Sequence, residues 1–300
     1  MKNIGILFLA LAMLGCSGRT KEQNSQNENN TTAPVTPTWS LVELWKSDTL
    51  MRTCESVLYD AERNHLYVSC INGAPWEKDG KGFIALLNPD GSIKTEHWIT
   101  GLDAPKGMGI HDGLLYLADL DHILVIDIEQ AEIKKKIPVP DAVQLNDIDI
   151  DEKGKVYFTD SETGWIWTME DGKPEQWIEG DFKRPNGLYV EKDRVLLASS
   201  ASQDLTVITF ADGSQTIVTT EIGHGDGVEF TGKEGHYLVT SWDGEIFLVM
   251  PDFSKISLLK TSDQGINSAD IGFNLAEQTV YVPTFFDNRV VAFKLVESVD

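Results

Sequence analysis

The feature that most constrains this chain of 300 residues is an internal repeat of about forty residues. In each copy, a short polar segment with Asn or Asp leads into an alternating strand, a turn and another strand. A divergent copy with an inserted loop at 71–81 comes first, and five similar copies follow, at 115–128, 156–169, 195–210, 236–250 and 280–295. This period, with four short strands in each step, predicts the blades of a propeller.

The composition of the repeat indicates strands throughout. The strands are rich in Val, Ile, Tyr, Phe, Trp and Thr, and no segment has a sustained helical period. The last unit supplies about three strands, so we expect 41–47 to add its outer strand and close the ring. We therefore predict an all-β fold, a six-bladed β-propeller with four-stranded antiparallel blades.

The first residues resemble a bacterial lipoprotein signal, with Lys2, an apolar run over 4–14 and then Cys16, the residue that would carry the lipid. The run is too short to span a bilayer, and an ordinary secretory signal is the alternative. Residues 17–38 are polar and rich in Asn and Thr, which is typical of a disordered tether. We expect a signal peptide at 1–15, the lipidated cysteine and tether at 16–38, and a propeller at 39–300, anchored in the cell envelope on the periplasmic or outer-membrane surface.

The charge balance argues against nucleic acid as a partner. The chain has 47 acidic and 25 basic residues and a formal net charge of −22, which would repel a phosphate backbone. The excess charge favours solubility, and part of it could line the channel and attract cations. We expect a monomeric chain that binds a small-molecule substrate or ligand and touches the membrane only through its lipid anchor.

Two cysteines fall on the first two predicted strands of the first blade. If the hairpin turn is centred on Glu62, Cys54 and Cys70 face each other. They could form a disulfide in an oxidising envelope, or remain free buried thiols.

The start of each innermost strand holds the candidate site residues. These positions converge on the central channel of a propeller, and here they carry oxygen ligands: Glu55, Asn146, Asn186, Asp226 and Asp270. Such hard donors suit Ca²⁺ best, with Mg²⁺ and Mn²⁺ as close alternatives and Zn²⁺ as a further one. Alternatively, the Asn-Gly and Asp-Gly pairs recur only as turn formers. The change of residue from blade to blade argues against that explanation.

At these residues the chain resembles the regucalcin, gluconolactonase and luciferin-regenerating-enzyme family of six-bladed propellers, over about residues 41–296. That family holds one divalent metal through a Glu of the first blade, the Asn of an Asn-Asp pair, the Asn of a Pro-Asn-Gly turn and the Asp of an Asp-Gly turn. The matching residues here are Glu55, Asn146, Asn186 and Asp226.

The resemblance implies a metal-dependent hydrolase of lactones or related esters. The ion would act as a Lewis acid, Asp226 would be a ligand and also the general base or nucleophile, and Asp270 would assist. The family often has an Arg two residues before the Asn-Asp pair, where this chain has Gln144, and Ile148 replaces the Gly that follows the pair. These changes argue against a sugar lactone as the substrate.

Further residues near the same positions are candidate substrate contacts, namely Lys106, Gln144, Asp147, His224 and Trp242. Lys106 could bind an anionic group or be a solvated lysine, and His224 could carry protons at the channel mouth or close a turn. Trp76 lies in the inserted loop 71–81, which could cover one channel mouth as a lid or be decoration. The alternative function is a non-catalytic envelope propeller that binds a ligand or protein, with a structural metal or none.

Overall fold

The computed structural model of the chain describes residues 37–179 and 182–298. The predicted signal peptide, Cys16 and all of the tether except its last two residues therefore lie outside the described residues. Among the residues described, no helix has the length and apolar character needed to cross a bilayer.

The described chain folds into six sheets of four antiparallel strands each. One strand, β1 (Thr38–Lys46), precedes the first blade. The remaining strands in chain order are β2 (Cys54–Asp60), β3 (His65–Cys70), β4 (Gly82–Leu87) and β5 (Ile93–Leu102) in blade 1; β6 (Pro105–His111), β7 (Leu114–Asp119), β8 (His122–Asp127) and β9 (Glu132–Pro138) in blade 2; β10 (Leu145–Ile150), β11 (Val156–Asp160), β12 (Trp165–Glu170) and β13 (Lys173–Glu179) in blade 3; β14 (Pro185–Val190), β15 (Arg194–Ser199), β16 (Asp204–Thr209) and β17 (Gln215–Thr220) in blade 4; β18 (Gly225–Phe230), β19 (Tyr237–Ser241), β20 (Glu245–Val249) and β21 (Lys255–Lys260) in blade 5; and β22 (Gly272–Asn274), β23 (Thr279–Pro283) and β24 (Val290–Ser298) in blade 6.

The blades form a closed ring. Each innermost strand contacts the innermost strand of both neighbouring blades, in the cyclic order β2, β6, β10, β14, β18, β22. Strand β1 pairs with β24, from Thr38 opposite Ser298 to Lys46 opposite Val291, and so becomes the outer strand of blade 6. The predicted six-bladed propeller with closure by an N-terminal strand is confirmed, and the closing strand begins before the predicted residue 41.

The core lies between adjacent blades. The middle strands are buried because both faces of each sheet are covered, and this explains continuous apolar runs such as Ile123 to Ile126 in β8. One such layer packs Tyr67 and Ile84 of blade 1 against Leu115 and Leu124 of blade 2. Within residues 37–179 and 182–298, the helical content is one short 3₁₀ segment at Ser262–Gln264.

The two cysteines are opposite each other, as the sequence predicts. Cys54 of β2 pairs with Cys70 of β3, and a bulge follows between Cys54 and Ser56. Both thiols are free and buried. Cys54 Sγ donates a hydrogen bond to the carbonyl oxygen of Arg289 at 3.2 Å, and burial raises the pKa of the Cys54 thiol to about 12.

Candidate functional site

A β-bulge interrupts each of the first five innermost strands at the position of its candidate residues. The pairing with the second strand of the blade shifts around Glu55, Lys106, Asn146, Asn186 and Asp226. A bulge re-aims side chains and increases local twist, and bulges are common beside active sites. The same irregularity in five blades therefore explains how residues far apart in sequence turn towards one channel.

Hydroxyl groups on the second strands satisfy the backbone at the bulges. Thr159 Oγ1 accepts from Asp147 N at 3.1 Å and donates to the carbonyl oxygen of Asn186 at 2.9 Å. Thr240 Oγ1 does the same in blade 5, accepting from Gly227 N at 2.8 Å. In blades 3 and 5 the bulge is thereby hydrogen-bonded both within its own blade and to the next one, which fixes the site residues of these blades in place.

The glycines after the site residues permit close contact between blades. A Cβ on Gly187 would lie 1.6 Å from the carbonyl oxygen of Asp226, and one on Gly107 would lie 2.3 Å from Asp147 Oδ1. The pairs Asn186-Gly187 and Asp226-Gly227 lie inside β14 and β18. They are strand residues, so the turn-former explanation does not apply to them.

Most of the candidate residues meet in one cavity of about 260 Å³ at one mouth of the channel. Its lining includes all four predicted metal ligands, three predicted substrate contacts, Trp76 of the inserted loop and several residues that sequence reasoning did not select: Glu55, Pro75, Trp76, Lys106, Asn146, Ser161, Arg184, Asn186, Ser200, His224, Asp226, Trp242 and Phe285. The four ligand candidates come from four different blades.

The free oxygen atoms in this cavity are suited to a hard cation. Glu55 Oε2, Asn186 Oδ1 and Asp226 Oδ1 are buried and have no hydrogen-bond partner among the described residues. A buried oxygen without a hydrogen-bond partner destabilises the fold unless a cation or polar ligand interacts with it. Carboxylate and amide oxygens are the donors that Ca²⁺ and Mg²⁺ prefer. The donor set therefore fits a divalent ion of this type.

The amide orientation of Asn146 supports the same fit. Ser161 Oγ donates to the carbonyl oxygen of Pro185 at 2.7 Å, so its proton is already used. It can therefore only accept from Asn146, whose Nδ2 lies 3.0 Å away. The Asn146 amide nitrogen is thus held by Ser161, and its oxygen is left for the cavity.

Both carboxyl groups of the set have perturbed acidity. Burial raises the pKa of Glu55, and the Lys106 ammonium partly opposes that rise. Burial also raises the pKa of Asp226 well above its usual range, and the negative charges of Glu55 and Asp270 add to the effect. Clustered carboxyl groups with raised pKa values in a cleft are typical of functional sites.

The other end of the channel is a separate cavity of about 320 Å³. Asp147 and Asp270 line this cavity and are not among the residues around the first one. Asp147 accepts hydrogen bonds from the backbone of Ile148 and Leu188, both at 2.7 Å. Asp270 accepts from Ser56 Oγ at 2.5 Å. Their predicted roles towards substrate and in catalysis stay predictions.

The wall of the first cavity combines aromatic and polar groups. Trp242 packs edge-on against Phe285 at 5.4 Å between ring centroids. His224 is half-exposed and lines the cavity, and its Nδ1 lies 2.8 Å from both oxygens of Asp243. Trp76 brings the inserted loop 71–81 to the channel mouth.

Arg184 is a cavity residue that sequence reasoning missed. Its Nη2 donates to Oε1 of Gln144 at 3.1 Å, and Nη1 lies 3.4 Å from Glu162 Oε2. Gln144 itself does not line the cavity. The guanidinium of Arg184 therefore lies beside Gln144, the position at which the similar family often has an Arg. Arg184 comes from the next blade. The signal that could have revealed it is its place two residues before Asn186.

A cluster rich in the usual strong metal ligands is not found. Within the two described ranges, no three His, Cys, Asp or Glu side chains are grouped so that they could hold a metal ion. The predicted set contains two carboxylates and two amides, so the metal site and the identity of the metal stay predictions.

The fold is shared with several known proteins. A candidate gluconolactonase has a TM-score of 0.66 and 16% identity, with 87% of this chain and 93% of that chain covered. A gluconolactonase from Xanthomonas campestris has a TM-score of 0.64 and 13% identity, covering 88% of this chain and 99% of that one. A streptogramin B lyase has a TM-score of 0.61 and 13% identity, covering 87% and 98%.

No protein-family model matches the sequence, and no curated protein matches it significantly. The likeness to the three structures, at such low identity, concerns the fold alone. The chain is a six-bladed β-propeller and shares this fold with the gluconolactonases, as the sequence resemblance predicted.

Proposed function

We propose that the chain is a metal-dependent hydrolase of lactones or related esters, with one divalent ion in the central channel. The observation that carries the proposal is the convergence of four oxygen donors from four blades in one cavity, three of them with a buried oxygen that lacks a hydrogen-bond partner among the described residues. Glu55, Asn146, Asn186 and Asp226 would hold the ion, with Ca²⁺ as the first candidate and Mg²⁺, Mn²⁺ and Zn²⁺ as alternatives. A bound ion would supply Lewis-acid polarisation of the substrate carbonyl.

Asp226 is the general base in this proposal. It lines the cavity, and a metal-bound carboxylate that faces the channel can still accept a proton. One of its carboxylate oxygens would take a proton from water as the water oxygen bonds to the carbonyl carbon. The ester C–O bond then breaks, and the proton passes to the leaving oxygen. One water is consumed for each bond, and the product of a lactone is the hydroxy acid.

The rest of the wall would bind and orient the substrate. Trp76, Trp242 and Phe285 offer apolar surface that excludes water from one side of the cavity. Lys106 and Arg184 offer positive charge to an anionic part of the substrate. His224 would exchange protons with solvent at the mouth through its Nε2, because Asp243 orients the ring through Nδ1.

One observation favours a second candidate, a propeller that binds a ligand or protein without catalysis. Lys106 Nζ lies 3.5 Å from Glu55 Oε1, so one of the two carboxylates already has a cationic neighbour within the protein. A cavity with this arrangement could bind a ligand without any metal. We propose from the sequence alone that the protein lies at the cell envelope, attached through a lipid on Cys16.

The test is calorimetric titration of the metal-stripped protein with calcium, magnesium, manganese and zinc, followed by a panel of lactones and esters with the ion that binds most tightly. We expect saturable one-to-one binding and turnover. Asp226→Asn should keep the fold and lower turnover roughly a hundredfold or more. Full activity in that variant would remove the assignment of the base. Binding without turnover would favour the second candidate, and absence of binding would overturn the proposal.

A further inference from the structure

Lys106 is the most deeply buried basic residue of the candidate site. The residue is 1% exposed, although it lines the cavity with the predicted metal ligands. It is placed there by the bulge in β6, between Pro105 and Met108. A lysine is almost never this buried without a partner, since removing an ammonium from water is costly.

Two contacts account for the position of the ammonium group. Its Nζ lies 3.5 Å from Glu55 Oε1 and 4.2 Å from the centroid of the Trp76 ring. A cation over an indole face is attracted by the negative charge density of the ring, more so when it is desolvated. Trp76, from the inserted loop 71–81, therefore holds Lys106 against the carboxylate of Glu55.

The cavity therefore contains acidic and basic side chains side by side. Glu55 and Asp226 contribute two negative charges when ionised, and Lys106 contributes one positive charge beside them. The ammonium lies 3.5 Å from Glu55 Oε1 and lines the same cavity as Asp226, so its charge acts on the site that these two carboxylates form. A divalent ion bound by these carboxylates would therefore stand near a fixed positive charge in a largely buried space.

We propose that Lys106 is a built-in cation that competes with the divalent ion for the channel carboxylates and sets the metal affinity of the site. The proposal rests on the proposed function, since it assumes that the four donors bind an ion. The tethered ammonium partly neutralises Glu55 when no ion is present. It also repels an ion that binds, so the wild-type site holds divalent ions loosely.

The experiment measures metal affinity directly and does not depend on turnover. The full chain is stripped of metal and titrated calorimetrically with Ca²⁺ and with Mn²⁺, as wild type and as Lys106→Gln. Loss of one positive charge next to the ion should tighten binding by roughly tenfold or more. Lys106→Arg retains the charge, and its affinity should stay near that of wild type.

Lys78→Gln is the matched control for a lost positive charge. Lys78 belongs to the same inserted loop as Trp76 but is exposed and paired with Asp121 at 2.6 Å. Screening by water should keep its effect on metal affinity within about threefold. Thermal unfolding of each variant verifies the fold, and Lys106→Met replaces the Gln variant if that one does not fold.

The possible results distinguish a failure of the Lys106 proposal from a failure of the hydrolase proposal on which it rests. Tighter binding in Lys106→Gln alone, with wild-type affinity in Lys106→Arg and Lys78→Gln, supports a competing cation. Equal affinity in wild type and in the neutral Lys106 variant that folds overturns the role of Lys106 while the hydrolase proposal stands. No heat of binding in any variant overturns both, because the four donors then hold no ion.

Discussion

At the level of single residues, the candidate site depends on groups that hold its ligands in one orientation. The amide of Asn146 is the clearest case, because an amide can present either its nitrogen or its oxygen to the cavity. Ser161 selects the oxygen by accepting a hydrogen bond from Nδ2 while donating its own proton to Pro185. Partners of this kind around metal ligands commonly change affinity by roughly ten- to a hundredfold.

We expect Ser161→Ala to weaken binding of the divalent ion by roughly tenfold, because Asn146 can then rotate its nitrogen towards the cavity. The measurement is the calorimetric titration of the metal-stripped protein. Ser200→Ala is the control, because Ser200 lines the same cavity but has no side-chain hydrogen bond among the described residues. Equal affinities in the two variants would show that the orientation of Asn146 does not matter for the ion.

The residues that sequence reasoning found and missed differ in a physical way. Glu55, Asn146, Asn186 and Asp226 occupy equivalent positions in a repeat, so their convergence follows from the repeat alone. Arg184 contacts Gln144 of the preceding blade. Contacts of this kind depend on how two neighbouring blades pack side by side, which the repeat pattern does not contain.

At the level of strands, the decisive feature is the close approach of innermost strands at the bulges. The sequence pattern predicts the strands and their repeat, but it treats Asn186-Gly187 as a turn signal. The structure places this pair within β14, where Gly187 faces the backbone of Asp226 in the next blade. Similarly, Asn146 and Asp147 are neighbours in sequence, yet they line cavities at opposite ends of the channel.

Gly187→Ala should therefore be severely destabilising. A Cβ would meet the carbonyl oxygen of Asp226 at 1.6 Å, so one of the two strands must move, and we expect a loss of more than about 3 kcal/mol in the free energy of unfolding. The comparison is Gly213→Ala, at a turn with a φ of 68° and open space around the new Cβ. That variant should lose only about 1 kcal/mol, from left-handed backbone strain.

Urea unfolding of both variants measures the difference. Similar losses in the free energy of unfolding would mean that blades 4 and 5 can move apart enough to accept a Cβ at Gly187. A large loss in Gly187→Ala alone would support close strand contact as the reason for glycine after the site residues.

At the level of the whole molecule, the two ends of the channel differ in charge. The first cavity mixes carboxylates with Lys106 and Arg184. The second is lined by acidic residues from blades 1, 3, 5 and 6, with no Lys or Arg from the described part of the chain: Asp60, Glu62, Asp147, Asp149, Glu229 and Asp270. Part of the excess of acidic residues in the chain is therefore concentrated at one channel end, as the composition suggested.

This acidic end should make the protein more stable in mild acid than at neutral pH. Burial raises the pKa of Asp149 from 3.8 to about 6, against the hydrogen bonds it accepts from the backbone of Val190 and Ile150. Burial also raises the pKa of Asp270 to about 8 and that of Glu229 well above its usual range. For each group the folded state binds the proton more tightly than the unfolded state does.

The sign of the pH dependence follows from linkage. A carboxyl group whose folded pKa is raised contributes stability that is complete below its unfolded pKa and is lost as the pH rises through the folded value. For Asp149 that window runs from 3.8 to about 6. Between about pH 5 and about pH 7.5, this group alone should lower the free energy of unfolding by about 1 kcal/mol. Asp270 and Glu229 act in the same direction.

Asp149→Asn separates the contribution of this group from the rest. We expect wild type to lose stability as the pH is raised from about 5 to about 7.5, and the variant to lose about 1 kcal/mol less over the same interval. Urea unfolding of the metal-stripped protein at the two pH values measures both slopes. Glu129→Gln removes an exposed carboxylate and should leave the slope of wild type unchanged. A wild-type stability that rises with pH would mean that the carboxyl groups of the second cavity are ionised at little cost, as they would be if water or cations filled that end of the channel.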